Sequence, residues 1–427
     1  MPISDSKPAT AAEVMEQHDH AKGLYDVANR RSDQVVALMT AGVPIPKDKR
    51  DAATADVAVT QPVLAGAIVN RLRQMLQVEA SMRKRVMPRR DGTEESKACS
   101  LIERWEDGYW RQTMYHLKRD PHRDALWWYL VRGVCRYEVR FRPDWLNTDR
   151  VPIETIVDDP ATIFPVRGRG EILWYTKEYT MYARELRRQF KKLKASAPKR
   201  LKSTAFMVDF EDNDELTVVE YWDDKYYASV VEKENLVLSN EHNLGFVPLA
   251  EGQCMDTPMA AAEWAYQSVV GPVVEHIKQM YILASKMATG VNLFFYPLLY
   301  GVGPNSEAII IDPNNPGTVA QTLAPGTELK VINVQVNAPM LAQLMAFFKS
   351  DINLATLPET AWGAEPQSLQ SGFAYSQVMA QVTSAVQDKV PSFARAVGDH
   401  MGNVLRVAEK FGSATGANME VPADFDE

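Results

Sequence analysis

Apolar residues recur at helical spacing through the first third of the chain. After Leu64 come Ile68, Leu72, Met75, Met82 and Val86 at three-, four- and seven-residue intervals, with Arg71, Arg73 and Lys84 between them. That is the stripe of an amphipathic helix, which Pro88 ends. A second helix is predicted over 96–116, carrying Ile102, Trp105, Tyr109 and Trp110. A third starts where Asp120 precedes Pro121, a capping carboxylate before a proline at the first helical position. At Gly133 the period changes to two. Cys135, Tyr137, Val139 and Phe141 alternate with Arg136, Glu138, Arg140 and Arg142, predicting a strand with one buried face and one face wetted by charge. Further strands are predicted over 152–157, 171–175, 216–222 and 226–231.

Between these strands, residues 184–202 hold nine basic residues against the single acid Glu185, and 209–224 is strongly acidic. The plain expectation is a solvated helix and loop; an intersubunit electrostatic contact is the alternative. Helical pattern returns over 259–288, with Asp256 or Thr257 as cap, Pro258 in the first turn and a kink or break at Gly271-Pro272. Over 291–348 the only charged residues are Glu307, Asp312, Glu328 and Lys330. Strand-like runs at 291–296, 308–311 and 329–336 are punctuated by Pro304, Pro313, Pro316, Gly317, Pro325 and Gly326. Such a segment cannot bury its apolar β surface alone, and a symmetric oligomer is the economical source of neighbours. A helix from Pro339 puts Leu341, Leu344, Met345, Phe348 and Ile352 on one face. A loop over 357–370 follows, then a long helix over 371–411 bent at Pro391, then a small, polar, acidic tail expected to be flexible.

Composition narrows the function classes. The 427 residues are 46% hydrophobic and 24% charged, with 47 Lys and Arg against 55 Asp and Glu, a net charge of −8. This is globular composition with room for roughly two or three core-bearing units. The charge argues against a protein that clamps nucleic acid through a broadly basic surface. Cys99, Cys135 and Cys254 are far apart without CxxC spacing, which fits a reducing compartment and signals neither zinc nor a disulfide framework. No run approaches about 18 uncharged apolar residues, and the first residues lack a signal-peptide pattern, so the chain is expected to be neither secreted nor membrane-spanning.

Motifs of chemistry are missing. There is no phosphate-binding GxxxxGK[ST], no GxGxxG after a strand, no G-x-S-x-G elbow and no H-E-x-x-H. His18-Asp19-His20 is the one histidine cluster; ligands at i and i+2 of a helix diverge, so a surface pair is expected rather than a metal site. Asp158-Asp159 and Asp223-Asp224 are adjacent carboxylates that diverge, and turn capping explains the first pair equally well. The tryptophans Trp127, Trp128, Trp222, Trp264 and Trp362 default to core packing. The chain is therefore expected to be no enzyme and to need no cofactor.

The order of elements is distinctive: helices, a β-rich middle, a helix into an apolar strand segment, a helix back out, a Pro/Gly loop and a final long helix. Three places carry a resemblance at residue level. These are Asp158-Asp159-Pro160-Ala161-Thr162-Ile163-Phe164-Pro165, Asn243-Leu244-Gly245-Phe246-Val247-Pro248-Leu249, and the stretch ending Leu369-Gln370-Ser371-Gly372-Phe373-Ala374. In order and spacing the chain resembles the portal (head-to-tail connector) proteins of tailed double-stranded DNA bacteriophages. The resemblance implies an α+β, portal-like fold: wing over 1–253, first stem helix over 254–289, β-containing clip over 290–337, second stem helix over 338–356, tunnel loop over 357–370, helical crown over 371–412 and tail over 413–427. The short stretch after the crown departs from relatives that build a long helical barrel there.

The same resemblance implies a homo-oligomeric ring, typically of twelve subunits, at one capsid vertex of the virion, assembled in the host cytoplasm. Double-stranded DNA passes through it without sequence specificity during packaging and ejection. The implied partners are the terminase large subunit, the major capsid protein, a scaffold and a head-tail adaptor. A ring of chains each at −8 repels a polyanion, which suits a channel that must let DNA slide. Glu359, Trp362, Gln367 and Gln370 are expected to project from the tunnel loop toward the duplex, and Lys278, Lys286 and Lys349 to supply sparse phosphate contacts from the stem. The alternative is that Trp362 packs beneath its loop and the lysines lie along subunit interfaces. Other readings of the whole chain are a virion adaptor or capsid subunit, or a cytoplasmic enzyme with a dispersed site.

Overall fold

The computed structural model describes residues 8, 10–40, 63–79, 93–145, 150–168, 170–196, 205–254, 266–295, 299–302, 328–331, 338–356 and 389–415. The chain divides into two compact units, one of Met1–Asp33, Val69–Val269 and Thr383–Glu427, the other of Gln34–Ile68 and Val270–Val382. It is an α+β protein.

The first helices follow their apolar stripes: α1 (Ala11–Thr40), α2 (Val63–Glu79) and α3 (Thr93–Leu117). Helix α4 (Pro121–Arg132) begins as its sequence predicts, with the Asp120 carboxylate accepting from the His122 amide at 3.0 Å and Pro121 in the first turn. It ends on Gly133, in the left-handed region at φ +83. A Cβ there would overlap the Gln267 backbone carbonyl, well inside van der Waals contact, so both the conformation and the close approach require glycine.

Strands β1 (Val134–Phe141), β2 (Ile153–Ile156) and β8 (Leu249–Gln253) form an antiparallel sheet in the order β2-β1-β8. A second antiparallel sheet is a meander of β3 (Ile163–Arg167), β4 (Ile172–Tyr182), β5 (Glu215–Trp222), β6 (Tyr226–Val231) and β7 (Asn235–Glu241). Between β4 and β5 lies α5 (Ala183–Ser196). Strands β3, β7 and β8 have no counterpart in the sequence-derived strands; Pro165, Asn240 and Gly252, residue types that strands disfavour, lie within them.

Alternation along each strand assigns its two faces. On the meander, Trp174, Val219 and Tyr221 pack with Val14, Ala21, Tyr25 and Ala28 of α1. His18 lies in this layer, 1% exposed, with Nδ1 3.1 Å from the Thr176 hydroxyl and Nε2 3.4 Å from the Glu178 carboxylate. The expected surface pair is thus half wrong: His20 is exposed, but His18 is turned onto the sheet because α1 covers it. Tyr175 and Trp222, on the other face, share a core with Trp105 and Tyr109 of α3, Val139 of β1, and Met401, Val404 and Val407 of α8 (Val390–Thr415). Burying each such side chain contributes roughly 1.5–3 kcal/mol.

Helix α8 closes on β8: the Ser392 hydroxyl donates to the Gln253 carbonyl at 2.6 Å, and a Cβ on Gly252 would stand 2.7 Å from that of Ala396. Pro391 occupies the first turn of α8, where a proline interrupts no intrahelical bond; the helix expected before it, and with it the bend, lies outside the described residues. The helix also runs to Thr415, past the expected start of the tail. The rest of the 371–411 helix lies outside the described residues.

In the second unit, the turn at Gly271–Val273 precedes α6 (Val274–Phe295), as the Gly271-Pro272 break predicts. The predicted strand over 291–296 is overturned: 291–295 is the last turn of α6, since a short apolar run fits a helix as well as a strand. Strands β9 (Leu299–Val302) and β10 (Glu328–Val331) pair antiparallel, and α7 (Ala338–Ala355) follows. The predicted strand over 308–311 lies outside the described residues; β10 matches the first part of the one over 329–336, and 332–336 lie outside them too.

Candidate functional site

On α7, Leu341, Leu344, Met345, Phe348 and Ile352 are more covered than the residues between them, as the stripe requires, and Met340 and Phe347 stay exposed at 56% and 59%. His276 of α6 reaches Asp351 of α7 at 3.5 Å and sets its ring edge-on to Phe348. Lys278 is half-buried and held within its own chain, pairing with Glu275 at 2.6 Å and donating to Gln34 at 3.2 Å. Lys286 on α6 and Lys349 on α7 are exposed. Glu359, Trp362, Gln367 and Gln370, expected in a tunnel loop, lie outside the described residues.

The first unit contains a feature the sequence pattern misreads. The charged face of β1 is not wetted: Arg136 and Glu138 are each 1% exposed, because that face looks onto the meander. The Glu138 carboxylate accepts from Arg140 Nε and, at 2.9 Å, from Lys177 of β4; Lys177 also pairs with Asp158 at 2.7 Å. Arg140 grips Glu220 of β5 with both terminal nitrogens and lies 5.4 Å over the Trp222 ring. Glu220 further accepts from Tyr179 at 2.9 Å, Tyr227 at 3.2 Å and the Trp222 indole at 3.3 Å.

A neighbouring pair continues the layer. Arg136 stands opposite Glu251 in the β1–β8 register, bonds it at 2.9 Å, and donates to the carbonyls of Pro160 and, at 2.6 Å, Ile163. Its guanidinium lies beside the stacked rings of Tyr25 and Tyr266, 5.4 and 5.7 Å from their centroids. Asp159 caps the turn at Pro160–Thr162 and pairs with Arg132 at 2.6 Å, so the Asp158-Asp159 element ties the two sheets and α4 together by separate partners.

Beside this layer opens a cleft of about 960 Å³, lined by Arg140, Lys177, Tyr179, Glu220, Trp222 and Tyr227 among others. Its charged floor is saturated by internal bonds, which suits a clamp between sheets and not proton transfer. Burial alone would raise Glu138, but the Arg140 and Lys177 charges overcome it and hold the carboxyl down to about 2. The His18 hydrogen bond leads in holding Glu178 at about 2, helped by Lys22 against burial. Burial likewise raises Glu251, and Arg136 and Arg167 bring it below its ordinary value. His242, lowered chiefly by burial, donates from Nε2 to the Asp223 carbonyl and accepts the Leu244 amide at Nδ1, which fixes the Asn243-Leu244-Gly245 turn in the neutral tautomer.

These depressed carboxyls set a pH dependence. Their ordinary value is 4.5, so the stability they give is complete above that pH and is lost as pH falls toward 2. Urea midpoints followed across acid pH are expected to be level near neutrality and to fall steeply below about 4.5. The fall is expected to be shallower in Glu178→Gln.

The sequence does carry a trace of this site: opposite charges at alternate positions of β1, with Lys177 on β4 and Glu220 on β5. Read one strand at a time they look like solvent faces, and only their mutual facing makes them a layer. Among the described residues no group of three or more His, Cys, Asp or Glu is placed to hold a metal, and no helix is long and apolar enough to cross a membrane. Comparison with protein-family models gives no match, and comparison with curated proteins gives none either.

Proposed function

We propose that this chain is the subunit of a phage-portal-type ring, twelve copies at one capsid vertex around a channel through which DNA is packaged and ejected. The observation that carries the reading is the order of the second unit: α6, the antiparallel pair β9 and β10, then α7, with Met340 and Phe347 of α7 left exposed. Two helices joined by a sparsely charged β excursion suit a stem and clip, and exposed large apolar side chains on a stem helix suit packing against the next copy. The tightly ion-paired first unit suits a wing that holds its shape under the load of packaging.

In this reading DNA slides past a sparsely charged wall, and the net charge of each chain keeps the duplex from sticking. Lys278, Lys286 and Lys349 supply the stem's sparse phosphate contacts. Glu359, Trp362, Gln367 and Gln370 form the tunnel loop. ATP hydrolysis comes from the terminase large subunit, and capsid, scaffold and adaptor proteins dock on the ring.

Native mass spectrometry with negative-stain images of the same sample tests the proposal. The expected result is a ring near twelve subunits with an axial hole wide enough for a B-form duplex. A dimer or tetramer without a hole overturns it. In packaging assays, Glu359→Ala and Trp362→Ala subunits that assemble normally are expected to package less DNA; full packaging by both removes the loop assignment.

A further inference from the structure

Among the described residues, helix α5 presents a strongly basic surface that no carboxylate pairs. Helix α5 buries Ala183, Leu186 and Phe190 against Leu216, Val218, Val231 and Val237 of the meander. Its Arg187 folds back onto Asp212 and the carbonyls of Met207, at 2.8 Å, and Phe210. That contact takes up Asp212 of the acidic run after α5. Arg184, Arg188 and Lys191 remain exposed, and among the described residues no carboxylate pairs with any of them. At 3.6 residues per turn the three lie within an arc of about 60°, opposite Leu186 and Phe190, and span about 10 Å along the axis. Tyr182, 40% exposed, extends the stripe at its start, with Arg184 beside its ring.

We propose that the Arg184–Arg188–Lys191 stripe is a docking surface for the phosphate backbone of double-stranded DNA. A straight row of cations at intervals of about 5 Å can follow successive phosphates of one strand, and guanidinium groups bind phosphate oxygens in pairs. Membrane insertion does not fit, because the apolar face that would enter a lipid surface is already buried. The exposed Glu185 sits next to Arg184 and limits the field to the outer edge of the helix. The choice of DNA among polyanions rests on the portal reading, and the surface is a contact additional to the channel. Such binding is weak per chain, and a ring of copies multiplies it through effective concentration.

The test is anisotropy of a fluorescently labelled duplex of arbitrary sequence titrated with the full-length protein between about 50 and 200 mM salt. Replacing all three cations (Arg184→Gln, Arg188→Gln, Lys191→Gln) is expected to weaken binding at the lower salt at least tenfold. The slope of log affinity against log salt should become shallower by about 2.7, the value for three phosphate contacts. Exchanging each for the other cation (Arg184→Lys, Arg188→Lys, Lys191→Arg) should keep the slope. An unchanged slope in the glutamine variant overturns the proposal. So does displacement of the duplex by polyglutamate as effective as by unlabelled duplex, which would assign the stripe to an acidic protein, or equal capture by anionic vesicles, which would assign it to lipid. A ring with an unchanged slope removes the stripe and spares the portal reading; a changed slope without a ring does the reverse.

Discussion

Glu138→Gln is expected to destabilise the first unit by about 3 kcal/mol or more, because it removes one charge from a buried ionic layer and leaves its partners in place. Glu138 is 1% exposed, with one oxygen on Arg140 and the other on Lys177. Glutamine offers a donor where both neighbours also donate, so at least one cation loses its acceptor away from water. Arg140 still holds Glu220 and Lys177 still holds Asp158, which keeps the loss from being larger. Urea unfolding at neutral pH measures it. The gap between wild type and variant should close as pH falls from 4.5 toward 2, where Glu138 itself takes up a proton. Adding Lys177→Met should recover part of the loss, and the cycle of single and double variants gives the coupling. A Glu138→Gln variant as stable as wild type would mean that the charges of β1 are solvated.

Gly133→Ala is expected to cost roughly 3–5 kcal/mol, from a left-handed backbone for a residue with a Cβ and from overpacking against a neighbouring backbone. The neighbour is the Gln267 carbonyl and the Ser268 amide, which cannot rotate away as a side chain can. This segment is fixed in turn: the Ser268 hydroxyl donates to the Leu130 carbonyl at 3.0 Å and the Val269 amide to the same carbonyl at 3.3 Å. Thermal unfolding should show a drop of about 10 °C. Gly23→Ala is the matched control. Gly23 lies inside α1 with nothing near its missing Cβ, so alanine there should be neutral or stabilising by up to about 1 kcal/mol.

Several elements were legible because their cause is local. Asp120 before Pro121 starts α4 by satisfying an orphan amide, whatever the rest of the chain does. The period-two runs over 216–222 and 226–231 became β5 and β6 within a residue. The stripe of Leu341, Leu344, Phe348 and Ile352 became the covered side of α7. The failures share a different cause. The run 291–295 is too short for periodicity to separate helix from strand, and its continuity with α6 decided it. His18 read as surface because its neighbours in sequence are polar, whereas its environment is Thr176 and Glu178, more than 150 residues away.

The candidate sites divide in the same way. The basic run that became α5 and the stem lysines are visible as composition and position, since charge at a surface needs no partner to be seen. Which of those cations remain available could not be read. Arg187 and Lys278 are occupied within the chain, while Arg184, Arg188 and Lys191 have no ion partner among the described residues, and only the packing of α5 and α6 makes that distinction.

By itself, the sequence determined where helices start, which strands alternate, that no standard catalytic motif is present, and that the chain as a whole is acidic. These follow from spacing along one backbone and from counting. The tertiary structure decided which alternating face meets water. On β1 both faces are covered, and Arg136, Glu138 and Arg140 lie between two sheets because Lys177, Glu220 and Glu251 are there to neutralise them. A charged side chain is buried or solvated according to what stands opposite it, and what stands opposite is set by strand pairing across long stretches of chain.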